Sequence, residues 1–225
     1  MLAMTFGALG DIHGDFESAR RVMGRHPEVP FWLCVGDVAD GEGRYEALPA
    51  PLHWIKGNNE NFDVIDAGIF PGNLHYLPNA RLAEIAGVRV AGLGGTFAPS
   101  WYDTPSASLP HPRKGSAKAT GLADKRRHFV REEVDACRAL RAVDVFLSHE
   151  APRPYFAGTG PRRNDAGKTP VNEVLAAMQP RLHLFGHHHR FTEQDRQGVR
   201  SVGLDLVADS YLLIDAGTFE YDRHQ

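Results

Sequence analysis

The sequence predicts an α/β fold whose sheets contain both parallel and antiparallel strands. Short apolar runs typical of strands alternate with longer segments that carry apolar residues at helical spacing. Near the N-terminus a strand, a helix and a strand follow one another, and this order favours parallel pairing through a crossover. Ala86-Gly87 and Gln197-Gly198 lie between strand-like runs and are typical of hairpin turns, which join antiparallel strands. The predicted sheets are therefore mixed.

The predicted elements follow from the apolar pattern along the chain. The short apolar runs predict strands at Thr5–Leu9, Phe31–Val35, Leu52–Ile55, Leu74–Leu77, Arg81–Ile85, Val88–Leu93, Val143–Leu147, Leu182–Phe185 and Tyr211–Ile214. Helical spacing predicts helices at Phe16–Arg25, Ala123–Leu140 and Pro170–Gln179, the last with a proline in its first turn. Two long irregular stretches remain, Ala98–Thr120 and Pro152–Thr169. Because loops of this length are usually functional or disordered, both are candidates for the border of an active site.

Length, composition and charge limit the class of protein. The 225-residue chain has no sharp break in composition and is predicted to form a single domain spanning residues 1–225. No apolar run is long enough for a membrane span, and the N-terminal residues lack the features of a secretory signal, so we expect a cytoplasmic protein. Cys34 and Cys137 are predicted to be separate core thiols. The formal net charge of -3 argues against nucleic-acid binding through bulk charge, although it leaves room for a local basic surface.

The chain contains 12 histidines, and several of them follow a predicted strand directly, together with Asp and Asn side chains. The motifs are Gly10-Asp11-Ile12-His13-Gly14, Gly36-Asp37, Gly57-Asn58-Asn59-Glu60, Ser148-His149-Glu150 and Gly186-His187-His188-His189. Residues two apart in extended chain face the same side, so Asp11 and His13 can reach one ion together, as can His187 and His189. Open α/β sheets place their sites at the carboxyl ends of strands. Convergence of these turns would give nitrogen and oxygen ligands without thiolate, which suit manganese, iron, zinc or magnesium.

Each motif alone also has an ordinary structural explanation. Asp-x-His is often a turn with a helix cap, Gly-Asp is a common turn dipeptide, and Gly-Asn-Asn is typical of a hairpin. A lone His149 at a strand end is more often a hydrogen-bonded structural histidine. The occurrence of all five motifs in this order, each at the end of a strand, favours a metal site.

The ordered set of motifs, from residue 10 to residue 189, resembles the calcineurin-like metallophosphoesterase superfamily. The resemblance implies a four-layer αββα sandwich, in which two mixed β-sheets pack face to face and are flanked by helices. It also implies two divalent metal ions, with manganese preferred and iron, zinc and magnesium as alternatives. It assigns Asp11, His13, Asp37 and His189 to the first ion and Asp37, Asn58, His149 and His187 to the second, so that Asp37 bridges them.

A narrower resemblance to RNA lariat debranching enzymes covers the middle of the chain. It rests on the segments Asn73–Leu77, Gly87–Gly95 and Phe146–Arg153, which are partly hairpin and core sequence. This resemblance favours phosphodiesters as substrates and does not by itself imply a lariat substrate.

Asn59 departs from the family pattern, which usually has Gly-Asn-His followed by Asp or Glu. In the family that histidine is credited with protonating the leaving group or holding the phosphate. An amide donates a hydrogen bond but cannot deliver a proton at neutral pH. Asn59 is therefore a candidate catalytic position at which either another group acts as the acid or the leaving group needs little help. His53 and His75 are candidates for the replacement acid, although a surface or capping role is more typical of each.

Cationic and aromatic side chains near the motifs are candidates for substrate binding. Arg153, close after the His149 turn, is the preferred phosphate contact, and His188 is predicted to face away from its neighbours, toward the substrate or behind the ligands. The basic residues of the two loops include Arg113, Lys114, Lys118, Arg162, Arg163 and Lys168. Lys125–Arg127 is interpreted as a solvated helix face. Trp101 and Tyr102 either stack on a base or anchor their loop to the core.

Together these features predict a dinuclear-metal-dependent phosphodiesterase that hydrolyses nucleotide or nucleic-acid phosphodiester bonds. Two metal ions about 3.5–4 Å apart would activate a bridging water for in-line attack on phosphorus. The expected partner is a phosphate-ester substrate such as a nucleotide or single-stranded nucleic acid. The alternatives are a phosphomonoesterase or protein phosphatase on the same fold, and a non-catalytic metal-binding interaction scaffold. Asn59 favours the diesterase, since a monoester dianion with a poor leaving group depends more on a general acid.

Overall fold

The computed structural model describes residues 4–112, 124–156 and 164–225. Its helices are α1 (Phe16–Arg25), α2 (Phe62–Ala67), α3 (Arg131–Ala139) and α4 (Thr169–Met178). Its strands are β1 (Thr5–Leu9), β2 (Trp32–Cys34), β3 (Leu52–Trp54), β4 (Leu74–Tyr76), β5 (Ala83–Ile85), β6 (Val88–Leu93), β7 (Thr96–Phe97), β8 (His128–Phe129), β9 (Val145–Ser148), β10 (Leu182–Phe185), β11 (Thr192–Arg196), β12 (Val199–Gly203), β13 (Tyr211–Asp215) and β14 (Tyr221–His224). Short 3-10 turns lie at Ser106–Ser108 and Lys125–Arg127.

Most strands belong to two six-stranded mixed sheets. The first sheet has the order β14-β13-β1-β2-β3-β4, and the second has the order β11-β12-β10-β9-β6-β5. Strands β1 to β4 pair in parallel, whereas β13 is antiparallel to β1. In the second sheet β6, β9, β10 and β12 pair in parallel, and the outer strands β5 and β11 are antiparallel to their neighbours. The prediction of mixed sheets is confirmed.

The two sheets pack face to face, with helices on the outer faces. Side chains alternate along each strand, so Leu33 of β2 points into the core between the sheets while Trp32 points to the outer face. Val145 and Leu147 of β9 line the same inner core, and Phe146 faces outward against α3 and α4. Helix α1 covers the outer face of the first sheet. This is the four-layer αββα sandwich implied by the family resemblance.

Local sequence explains where the elements begin and end. Helix α1 begins after Asp15, whose side chain accepts a hydrogen bond from the backbone N–H of Ser18 at 3.0 Å. Hairpin turns with positive φ at Ala86-Gly87 and Gln197-Gly198 join β5 to β6 and β11 to β12, as predicted. The short helix α2 was absent from the predicted elements; it is capped by Asn61 and ends at Gly68 in the left-handed conformation.

The prediction of one long helix over Ala123–Leu140 is wrong. The helix α3 occupies only Arg131–Ala139, because residues 128–129 are extended and pair in parallel with β7. Glu133 accepts a hydrogen bond from the backbone N–H of Val130 at 2.9 Å, which fixes the start of the helix there. Val134 and Cys137 are buried on one face of α3, as their spacing predicted, whereas Val130 is the N-cap residue that precedes the helix.

The two cysteines are free and buried, in agreement with the prediction of separate core thiols. Cys34 lies in β2, and Cys137 lies in α3. Among the residues that the structure describes, no helix has the length and apolar character needed to cross a membrane.

Candidate metal centre

The predicted metal-binding residues converge at one edge of the sandwich. Asp11 and His13 follow β1, Asp37 follows β2, and Asn58 follows β3, in three neighbouring parallel strands of the first sheet. The remaining ligand turns follow β9 and β10, which are neighbours in the second sheet: they carry His149, His187 and His189. The carboxyl ends of parallel strands from both sheets therefore meet at this edge, where α/β sheets place their sites.

Glycines allow the ligand turns to approach one another closely. A Cβ on Gly57 would lie 1.9 Å from Asp37 Oδ1, and a Cβ on Gly186 would lie 2.3 Å from Asp11 Oδ1. The backbone N–H of His13 donates to the carbonyl oxygen of Asp37 at 2.7 Å, which joins the first two turns. Gly57 before Asn58 and Gly186 before His187 are thus required by packing and are more than turn signals.

Four of the predicted ligands have a strained backbone conformation. His13, Asp37, His187 and His189 have positive φ angles of 48°, 51°, 70° and 48°. A non-glycine residue in this region costs of order 1–3 kcal/mol and persists only where the surrounding structure imposes it. Such strain at four of the predicted ligand positions is typical of a functional site.

Asp11, His13 and His189 form the first group of candidate ligands. His189 Nε2 lies 3.1 Å from Asp11 Oδ2, and the Nε2 atoms of His13 and His189 are also 3.1 Å apart. His13 Nε2 lies 3.9 Å from Asp11 Oδ2. These three ligand atoms lie close enough together to bind one cation. The backbone N–H of His187 donates to Asp11 at 3.0 Å and orients this carboxylate.

Asp37, Asn58, His149 and His187 are the predicted ligands of the second ion, and the ligand atoms of Asp37 and His149 lie close enough to those of Asp11 to share one cation with them. His149 Nε2 lies 3.1 Å from Asn58 Oδ1 and 3.6 Å from Asp37 Oδ2. The His149 and His187 rings are neighbours, with centroids 4.9 Å apart. The same Asp37 oxygen lies 3.6 Å from His13 Nε2, so Asp37 stands between the two groups. His149 Nδ1 contacts the carbonyl oxygen of Val35 at 2.9 Å, an outer hydrogen bond of the kind that orients histidine ligands.

The donor set and its electrostatics fit divalent cations. Asp11 and Asp37 are each only 1% exposed, and buried carboxylates require pairing or a metal ion. Burial, and to a lesser extent the charge of Asp37, raise the pKa of nearby Glu60 to about 7. Burial also raises the pKa of the Cys34 thiol, which keeps it protonated beneath the site. Carboxylate, amide and imidazole donors without thiolate suit manganese, iron, zinc or magnesium.

Asn59 contacts Asp37 through both its backbone and its side chain. The backbone N–H of Asn59 donates to Asp37 Oδ1 at 2.7 Å, and its side-chain amide donates to Asp37 Oδ2 at 2.8 Å. Burial opposes ionisation of Asp37, but the charge of His149 and these hydrogen bonds outweigh it and hold the pKa of Asp37 below its ordinary value. In this arrangement Asn59 orients Asp37.

Glu60 joins two of the ligand turns, a role that the sequence pattern does not reveal. Its carboxylate accepts hydrogen bonds from the backbone N–H groups of Val38 at 3.0 Å, Ala39 at 3.2 Å and Gly57 at 3.3 Å. It also accepts one from the Tyr45 hydroxyl at 2.9 Å. The only signal in the sequence was its place two residues after Asn58, because three of its four partners lie 15 to 22 residues away along the chain.

Arg153 and His188, the other predicted catalytic residues, lie in different surroundings. The Arg153 guanidinium is exposed and bonds Asp165 at 2.6 Å, so its charge is already paired. The His188 ring stacks on Tyr155, with centroids 4.3 Å apart, and its Nε2 is buried without a hydrogen-bond partner in the described part of the chain. His53 and His75 stack on each other, with centroids 4.7 Å apart, in the strand pair β3 and β4.

The two long loops are described in part. Tyr102 is buried in the core beside α3, which supports the prediction that it anchors its loop. The Lys125 Nζ lies 5.8 Å from the centroid of the Trp101 ring. Lys168 lies 3.6 Å from the buried carboxylate of Glu150. The predicted phosphate contacts Arg113, Lys114, Lys118, Arg162 and Arg163 lie outside the described residues.

The family model of calcineurin-like phosphoesterases matches residues 4–191. The chain belongs to the calcineurin-like phosphoesterase family. As a metallophosphoesterase it is a hydrolase of phosphoric esters, and its family uses divalent metal ions.

Relatives of this metallophosphoesterase include two lariat debranching enzymes. The enzyme from Schizosaccharomyces pombe is 25% identical over 205 residues, which cover 80% of this chain and 42% of that protein. The human enzyme is 22% identical, with 90% of this chain and 40% of that protein covered. The chain thus spans about two fifths of the length of these two relatives. An uncharacterized protein of Haemophilus influenzae is 25% identical, with 91% of this chain and 94% of that protein covered.

Solved structures share the fold at low sequence identity. The protein TT1561 of Thermus thermophilus is 14% identical with a TM-score of 0.65, and the likeness covers 99% of both chains. An archaeal phosphodiesterase is 11% identical with a TM-score of 0.51, and the likeness covers 98% of this chain and 99% of the other. Both establish the sandwich fold of this metallophosphoesterase.

Proposed function

We propose that this metallophosphoesterase is a dinuclear-metal phosphodiesterase that acts on nucleotides or nucleic acid. The observation that carries the proposal is the position of Asp37, whose Oδ2 lies 3.6 Å from histidine nitrogens of both ligand groups. One carboxylate shared by two groups of nitrogen and oxygen donors is the arrangement expected for a pair of divalent ions. The lariat debranching relatives are consistent with a phosphodiester substrate.

The first ion would be held by Asp11, His13, Asp37 and His189, and the second by Asp37, Asn58, His149 and His187. Bound divalent ions, with manganese preferred, would supply Lewis-acid chemistry, since they acidify a water molecule and neutralise phosphate charge. The chain contributes the positions of the donors. Val35 orients His149, the N–H of His187 orients Asp11, and Glu60 fixes the turns of Asp37 and Asn58.

The residues around Asn59 favour diesters over monoesters. The Asn59 amide is bonded to Asp37 and cannot transfer a proton to a leaving group at neutral pH. In a diester the phosphate carries less negative charge, so departure of the leaving group depends less on a general acid. His188 is shielded by Tyr155 and serves in this proposal to pack the turn that carries His187 and His189.

We also propose that residues 1–225 form one domain in the cytoplasm. Strand β13 pairs with β1, the strand that leads into the Asp11 turn, so the C-terminal strands complete the first sheet. The free thiols of Cys34 and Cys137 are consistent with a reducing compartment.

Hydrolysis of bis-p-nitrophenyl phosphate and p-nitrophenyl phosphate by metal-stripped protein, with and without added Mn²⁺, tests the function. We expect turnover that requires metal and favours the diester, with the Asp37→Asn variant as the blank. Preference for the monoester would support the phosphomonoesterase alternative. Tight binding of two metal equivalents without turnover of any diester, including dinucleotides, would contradict the proposal and favour an interaction scaffold.

A further inference from the structure

The segment that contains Arg127 is fixed against the Asn58 turn. The Lys56 ammonium is buried, and it donates to the backbone oxygens of Arg126 at 2.9 Å and His128 at 3.3 Å. Lys56 comes directly before Gly57 and Asn58, so these bonds hold both peptide neighbours of Arg127 beside the site.

Gly95 brings the Arg127 backbone still closer. A Cβ on Gly95 would lie 2.6 Å from the carbonyl oxygen of Arg127, and the Gly95 N–H donates to the Lys56 carbonyl at 2.7 Å. The Arg127 backbone is therefore held close to Lys56, which follows strand β3.

Arg127 forms no ion pair with the residues that the structure describes, unlike its neighbour Arg126. Arg126 forms ion pairs with Asp63, Asp66 and Asp124 at 2.8, 2.5 and 2.6 Å. Arg127 Nε is buried and has no hydrogen-bond partner within residues 4–112, 124–156 and 164–225. Burial of a cationic donor without an acceptor costs free energy, so such a group in a folded protein requires an explanation. The interpretation of Lys125–Arg127 as a solvated helix face is therefore wrong for Arg127.

The charge of Asp37 acts on the Arg127 guanidinium. Desolvation lowers the pKa of Arg127, and the charge that opposes this most is that of Asp37, ahead of Asp124. This agrees with the position of the Arg127 backbone, which the Lys56 bonds hold beside the Asn58 turn. The Arg127 side chain is partly exposed.

We propose that Arg127 binds a phosphoryl oxygen of the substrate beside Asp37. The guanidinium has a planar set of donors that matches phosphate oxygens, and it keeps its charge throughout the reaction. It would orient the phosphate and offset negative charge that develops in the transition state. This inference rests on the proposed function, and it assigns to Arg127 the role that the sequence pattern suggested for Arg153.

Inorganic phosphate and a diester substrate test this role in the manganese-loaded protein. We expect Arg127→Gln to weaken inhibition by inorganic phosphate and to lower kcat/KM for bis-p-nitrophenyl phosphate, each by about 10- to 100-fold, as for a lost charged hydrogen bond. Arg127→Lys should show a smaller loss, because it keeps the charge without the planar donors. Arg138→Gln, on the outer helix α3, is the matched control and should behave as wild type. Thermal denaturation and metal content verify that each variant is folded and loaded.

Unchanged phosphate inhibition and kcat/KM in a folded Arg127→Gln variant would overturn the proposal, and so would an equal loss in Arg138→Gln. If the glutamine variant does not fold, the wild-type protein still decides the question through phenylglyoxal modification followed by peptide mass spectrometry. Inorganic phosphate should protect Arg127 and leave Arg138 reactive, and lack of protection would overturn the proposal. Failure of the proposed function would be distinct, because wild type would then bind phosphate near Arg127 without hydrolysing any ester.

Discussion

The two sides of the candidate metal centre differ in how firmly their ligands are held. On the outer side, the side chains of His13 and His189 are 33% and 40% exposed. On the inner side, His149 is fully buried and Asn58 is 7% exposed. The inner ligands also have fixed partners, since His149 bonds the Val35 carbonyl and contacts Asn58. An inner ion would therefore meet ligands already in place, whereas an outer ion would depend on side chains that can swing into solvent.

This difference implies that the two ions exchange at different rates. Ligands held in advance lose little conformational freedom when a metal binds, and buried ligands exclude competing water. The outer ion should therefore leave first when metal is removed. Asp37 lies between the two sides, so a substitution of Asp37 should weaken the binding of both ions.

The largest expected effect comes from Asp37→Asn. The substitution removes the charge shared by both ligand groups, so diesterase activity should fall by more than about 100-fold, the upper range for residues that only orient a ligand. Steady-state kinetics and metal analysis after dialysis provide the measurements, and both metal equivalents should be reduced. Asp209→Asn, in an exposed turn, is the control and should change neither. Full activity in Asp37→Asn would exclude the bridging position.

The ligand turns could be located from sequence because their pattern is local. The ligand turns follow apolar strands, so the strand ends alone place Asp11 and Asp37 at one edge of the first sheet and His149 at the carboxyl end of a strand in the second. The pairing of β1 with β2 through α1 and the two hairpins were predictable for the same reason. The face-to-face packing of the sheets came from the family resemblance, since strand patterns alone do not specify it.

The residues that could not be predicted depend on contacts between distant parts of the chain. The extended segment before α3 exists because His128 and Phe129 pair with residues more than thirty positions earlier, in β7. Arg153 was a reasonable phosphate contact by sequence, but its charge is paired with Asp165. Arg127 resembled a solvated residue in a basic run, and it differs from Arg126 in its fixed backbone and in an Nε that has no partner among the described residues.

The second largest effect is expected for Glu60→Gln, which tests whether the inner side is held by its turns. All four contacts of the Glu60 carboxylate are donors, so a glutamine N–H₂ would face at least one donor and lose hydrogen bonds. We expect activity to fall by about 10- to 100-fold, as for other residues that orient metal ligands. In kinetics as a function of Mn²⁺ concentration, a higher concentration should be needed for full activity, because the inner ion binds more weakly.

Glu28→Gln is the matched control for Glu60, because the Glu28 side chain is 66% exposed and lies away from the ligand turns. It should leave both activity and metal dependence unchanged. Wild-type behaviour of Glu60→Gln would mean that Glu60 is not needed to hold the turns of Asp37 and Asn58.

A smaller effect, on stability, should separate the inner histidine from the outer one. His149→Ala leaves the Val35 carbonyl without its partner in a buried space, and it should lower the free energy of unfolding of the metal-free protein by about 1–3 kcal/mol. His189→Ala removes a side chain that is 40% exposed and should lower it less, because Asp11 keeps the hydrogen bond from the backbone N–H of His187. Urea denaturation after chelation measures both. Equal losses in the two variants would contradict the difference between the two sides.

The smallest expected effect is a change of preference in Asn59→His. General acid catalysis contributes about 10²–10⁴-fold where the acid is ideally placed, but an introduced histidine would lose the amide bond to Asp37 and lack partners of its own. We therefore expect only a few-fold rise in monoesterase activity relative to diesterase activity. Asn59→Ala is the control, because it removes the bond to Asp37 without adding an acid and should lower both activities alike. If the histidine and alanine variants shift the ratio equally, position 59 acts through the orientation of Asp37 and not through the leaving group.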